Sequence, residues 1–157
     1  MSEKLNLQTL KIKCLFNNKY LNATINVWIE KIENPVINDT LAERVYNFQG
    51  KYDVFFIEYQ DDNGLVLKNE SDRLSNAFYG LCKKVESENI KMLIKGCSSG
   101  YYMIPRLQNS VKTMKLTLGE RVSSQSDVVC IFDTEKDVDK IVTVDNIIKY
   151  YAAWLES

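Results

Sequence analysis

The 157-residue chain contains no histidine. That absence removes the usual base for arming a serine or cysteine, because a hydroxyl is a poor nucleophile at neutral pH until a neighbour takes its proton. The chain also lacks a surplus of positive charge. Lys plus Arg number 20 against 21 Asp plus Glu, a net charge of −1, whereas a nucleic acid or an anionic membrane is bound largely through excess positive charge. Neither is expected as a partner. No stretch reaches the roughly 18 consecutive apolar residues of a membrane-spanning helix. The opening Met1-Ser2-Glu3-Lys4-Leu5-Asn6 has no apolar core of a signal peptide. The expectation is a cytoplasmic protein.

Close cysteine spacing is missing too. Cys14, Cys82, Cys97 and Cys130 form no Cys-x-x-Cys pair and no zinc-ligand pattern. No metal and no cofactor is expected. Cys14, Cys82 and Cys130 sit among apolar neighbours and read as small core residues, with reduced thiols the expected state.

What is present is the patterning of one globular domain over residues 1–157, a length able to bury about two thirds of its unfolded surface. Leu10, Ile12, Cys14 and Phe16 alternate with Lys11, Lys13 and Leu15. Leu21, Ala23, Ile25, Val27 and Ile29 alternate with Asn22, Thr24, Asn26 and Trp28. Side chains two apart share a strand face, so residues 7–29 read as a β-hairpin closed at Asn17-Asn18-Lys19. Glu33-Asn34-Pro35 marks a break. Within 39–48, Leu41, Ala42, Val45 and Phe48 suit a short helix. Tyr52–Tyr59 reads as a strand, Asp61–Gly64 as a turn and Leu65–Leu67 as a return strand. Asn69–Ser87 carries Leu74, Phe78, Leu81 and Val85 at helical spacing, with Ser71 as its cap.

Lys91–Lys95, Lys112–Leu118 and Val128–Phe132 read as further strands, and 96–100 as a loop. An acidic connector, Asp133–Lys140, leads to a last helix from Thr143 with a stripe of Val144, Ile147, Ile148, Tyr151 and Leu155. Hairpin, strands, helix, strands, helix is the order of an α+β domain with a largely antiparallel or mixed sheet and helices packed on it.

Four strings invite a chemical reading. Gly96-Cys97-Ser98-Ser99-Gly100 fits the Gly-x-Ser-x-Gly nucleophile pattern and follows a strand, as a nucleophile elbow does. Tyr101 to Pro105 should then continue as a helix, and Pro105 interrupts one. A structural turn is the preferred reading. Cys97 as the nucleophile of a phosphate-binding loop would need arginine where Met103 stands. Asp61–Gly64 is a turn rather than a calcium loop, since Leu65 occupies a ligand position. The connector alternates Asp133, Glu135, Asp137 and Asp139, interrupted by Lys136. These carboxylates face water, a basic partner or a metal. Trp28 lies on the polar register of its strand, so it is core if that face is covered and a contact anchor if it is not.

Over residues 90–157 the chain resembles a pattern of small bacterial proteins, some from toxin–immunity neighbourhoods. The matching residues are Gly96, Tyr102 and Met103 in a loop and Leu116, Leu118 and Gly119 in a Leu-x-Leu strand. Val129, Ile131, Phe132 and Asp133 form a Val-x-Ile-Phe-Asp strand. Thr143, Val144, Tyr151, Trp154, Leu155 and Ser157 belong to a helix ending in Trp-Leu-x-Ser. The resemblance implies a cytoplasmic protein that binds and neutralises a partner, such as an immunity protein of contact-dependent growth inhibition. No catalytic residue comes with it.

The expected function is therefore a non-enzymatic immunity protein blocking a cognate toxin domain, with Asp133, Glu135, Asp137, Asp139 and Trp28 as candidate contacts. Two alternatives stand beside it: a small hydrolase using Ser98 or Cys97, and a homo-oligomeric structural module.

Overall fold

The structure, a computed structural model, describes residues 4–122 and 127–157; Met1–Glu3 of the opening segment and residues 123–126 lie outside it. β1 (Lys4–Phe16) and β2 (Lys19–Glu33) form the expected hairpin, in register from Phe16↔Lys19 to Lys4↔Glu30 with a bulge between Asn6 and Gln8. Asn17 and Asn18 take φ of 52° and 61°. Two consecutive positive-φ residues are what a two-residue hairpin turn requires, and asparagine tolerates them.

After β2, Asn34 (φ 50°) turns the chain, and its N–H and side-chain oxygen both hold Gly50. The excursion between them is a second hairpin, β3 (Val36–Asp39) with β4 (Arg44–Asn47), not the short helix expected over 39–48. The Asp39 carboxylate accepts the N–H groups of Leu41 and Ala42, and Glu43 at φ 52° completes the turn. This local hydrogen bonding competes successfully with helix formation.

β5 (Lys51–Asp61) and β6 (Val66–Ser71) then pair antiparallel across a turn organised by Asp61, whose carboxylate is taken up by Tyr59, Asn63 and Leu65. α1 (Leu74–Ser87) begins three residues beyond Ser71, which belongs to β6 and not to a cap. Its first N–H groups are met from far along the chain, Leu74 by the Asn109 side chain and Ser75 by the Gln108 carbonyl. β7 (Ile90–Met92) completes a curled antiparallel sheet in the order β6-β5-β2-β1-β7. Its inner face, with Ile12, Cys14, Ile25, Val27 and Ile57, packs against Leu74, Phe78, Leu81 and Val85 of α1. Each fully buried side chain of this kind stabilises the fold by about 2 kcal/mol.

The remainder is a small sheet, β8 (Tyr101–Tyr102), β9 (Lys112–Lys115) and β10 (Val128–Cys130), followed by α2 (Val144–Leu155). Thr143 caps α2 through the Asn146 N–H, as its position suggests. The buried face of α2 differs from the expected stripe. Ile148 and Leu155 are exposed, and Tyr150, Tyr151 and Trp154 take the inner side with Val144 and Ile147. Tyr79, Tyr102, Tyr151 and Trp154 stack in a column at 5.5, 3.9 and 6.1 Å between successive centroids. The fold class is α+β, as the element order suggested. No helix among the described residues is long and apolar enough to cross a membrane.

Candidate functional site

The Gly96–Gly100 loop is built by packing. Residues 95–97 make one 3₁₀ turn between β7 and β8. A Cβ on Gly96 would lie 2.6 Å from the Phe78 ring and 3.0 Å from the Ile131 carbonyl oxygen, so only glycine fits. Gly100 takes φ +86°. Ser98 has no exposed surface, and its hydroxyl donates to the Ile94 carbonyl at 3.0 Å. Tyr101 and Tyr102 follow as strand, where a nucleophile elbow needs a helix. Gly96, Ser98 and Gly100 thus have structural reasons to be there, and the Ser98 hydroxyl is buried and already engaged.

The acidic connector runs antiparallel to residues 93–95. Lys95 N–H donates to the Asp133 carbonyl, Glu135 N–H donates to the Leu93 carbonyl, and Ile94 bridges Thr134. Asp133, Asp137 and Asp139 are exposed. Glu135 is not, and this corrects its expected place on a binding surface. It is 4% exposed and bonded at 3.2 Å to the Lys95 ammonium. Its Oε2 also accepts the Asp137 N–H, which ties the connector to itself. The Ser98 hydroxyl has two acceptors in its neighbourhood but one proton. That proton goes to Ile94, which leaves Glu135 Oε1 buried without a hydrogen bond. Among the described residues, no cluster of three or more acidic or sulfur side chains is arranged to hold a metal.

Burial pushes the Glu135 carboxyl upward. The Asp137 N–H and the Lys95 ammonium outweigh it and hold the group below the usual glutamate range. The carboxylate is covered but lies just beneath the surface, so water screens the pair in part. Its lowered pKa means that its stabilisation is present above the ordinary glutamate pKa and lost as pH falls through the folded value. Glu135→Gln should therefore unfold about 1–2 kcal/mol more easily at pH 7, between exposed and fully buried pairs. The gap from wild type should close on acidification in urea titrations. Glu86 acts in the opposite sense. Burial raises its carboxyl, so its contribution is full below the unfolded pKa and fades as pH rises through the folded one. Because Glu86 is unchanged in the variant, it drops out of the difference.

Trp28 is also corrected. Its ring is 8% exposed and stacks on Phe56, its cross-strand partner, with centroids 5.3 Å apart. The Lys4 ammonium sits 4.6 Å from the ring centroid, and the indole N–H donates to Glu30. Ile37 of the β3–β4 hairpin joins the same buried cluster. The tryptophan is core, and no free anchor is left for a partner.

A cavity of about 540 Å³ lies among α1, β7 and the start of α2. Its wall includes Cys82, Cys97, Glu86 and Met92. Glu86 accepts the Val144 N–H at 2.7 Å and so serves as a second cap of α2. Sequence reasoning missed this site, since residues 82–97 and 141–146 share no motif and meet only in the fold. Compared with known proteins, the chain matches no family model and no curated protein.

Proposed function

We propose that the protein is a non-enzymatic binding protein, an immunity protein that neutralises a cognate bacterial toxin domain in the cytoplasm. The observation that carries this reading is the acidic connector. Asp133, Asp137 and Asp139 stand exposed on a segment whose backbone is bonded to residues 93–95 and braced from below by the Lys95–Glu135 pair. Carboxylates held this way need little ordering on binding, and they suit a toxin domain with a basic active site. The resemblance over residues 90–157 supports the same reading, as does a Gly96–Gly100 loop occupied by packing.

The test is direct. Immunity genes of the resembled family sit immediately after their toxin genes. The purified product of the adjacent upstream gene should bind this chain one-to-one in a calorimetric titration, and co-expression should restore growth. A titration without heat, together with no protection, contradicts the proposal.

A further inference from the structure

We propose that Cys82 and Cys97 are a redox-active dithiol, oxidised to an intramolecular disulfide by small-molecule disulfides that enter the adjoining cavity. The two sulfurs lie 3.7 Å apart, one on α1 and one on the 95–97 turn. A disulfide needs a sulfur separation near 2.05 Å, so closure asks for about 1.7 Å of approach. Side-chain rotation at two facing cysteines is the natural way to supply it. Both residues are nearly closed to bulk solvent, 2% and 5% exposed, yet both line the cavity. The cavity is thus their route to a reagent, and its volume suits a small organic molecule. Its wall carries one carboxylate, Glu86, and one ammonium, Lys91, on a largely apolar lining, which favours a neutral compound. Neither Cys14 nor Cys130 lines it.

The chemistry balances as thiol–disulfide exchange. Cys97 gives up its proton to water, and its thiolate attacks one sulfur of the small disulfide. The small S–S bond breaks, one small thiolate leaves and takes up a proton, and Cys97 carries a mixed disulfide. Cys82 then releases its proton, and its sulfur attacks the Cys97 sulfur and expels the second small thiol. Two protein thiols are oxidised, and one small disulfide is reduced to two thiols. Cys97 is the more exposed of the two and attacks first; Cys82, whose thiol burial holds well above the ordinary range, resolves, helped by proximity. The new bond would tether α1 to the turn whose Cys97 carbonyl accepts the Val142 N–H, just before α2. This inference is independent of the binding role proposed above.

The probe is bis(2-hydroxyethyl) disulfide, neutral and small, applied to the full folded chain. The reaction is quenched with acid, the protein is unfolded and alkylated, and its peptides are mapped by mass. Two of the four cysteines should lose alkylation together and appear as one peptide pair linked through Cys82 and Cys97. Cys82→Ala should stop at a mixed disulfide on Cys97, and Cys97→Ala should leave Cys82 alkylatable. Four alkylated cysteines, adducts on Cys130 alone, or a different linked pair would overturn the proposal. The wild-type map decides the question even if a variant fails to fold.

Discussion

Gly96→Ala is expected to destabilise the fold by about 3 kcal/mol, at the upper end of what overpacking a core costs. The added methyl would meet Phe78 at 2.6 Å, and that ring has no room to retreat. It is fully buried, tilted against Tyr79 and set edge-on to Phe132 with centroids 5.9 Å apart. The third close atom is the Ile131 carbonyl oxygen, which already accepts the Gly96 N–H at 2.8 Å. Gly100→Ala is the control. Its Cβ would find ordinary contact, so its cost is only the φ of +86°, about 1–2 kcal/mol. Urea unfolding followed by circular dichroism measures both. A Gly96→Ala protein within 0.5 kcal/mol of wild type would contradict the packing explanation of this loop.

Reversing the charge of Asp133, Asp137 and Asp139 to lysine should slow association with the proposed basic toxin domain by about 10- to 100-fold at low salt. Electrostatic steering acts on the encounter, so the loss belongs mainly in the association rate and shrinks as salt is added. Two of the three carboxylates also hold backbone N–H groups, Asp133 that of Cys130 and Asp137 that of Asp139. Asp139→Lys alone separates the effects, because its carboxylate makes no bond to the described residues. It should give a smaller slowing with unchanged unfolding. Rates equal to wild type for both variants would remove the connector as the steering surface.

What was legible in the sequence was what local pattern controls. Alternation along residues 10–16 and 21–29, with Asn17-Asn18 between, was enough for the hairpin, because period-two burial and positive-φ turn residues are short-range signals. Thr143 marked the start of α2 for the same reason. What was not legible came from partners far along the chain. The start of α1 is satisfied by Asn109 and Gln108, so the nearer Ser71 misled. Glu135 looks like its exposed neighbours until Lys95, forty residues earlier, draws it inward. Trp28 is core because the register sets it opposite Phe56. The α2 stripe holds at Val144, Ile147 and Tyr151 and not at Ile148 and Leu155, because the inner face is turned toward Tyr102, on which Tyr151 stacks. The dithiol cavity has no local signature at all.

Growth of cells that express the proposed upstream toxin domain, with wild type, Ser98→Ala or the triple Asp→Lys variant supplied for protection, tests the central claim most directly. Protein levels and unfolding midpoints should be matched first. Binding without chemistry means that Ser98→Ala protects like wild type and the triple variant fails. Protection lost with Ser98→Ala and kept by the triple variant would contradict the account.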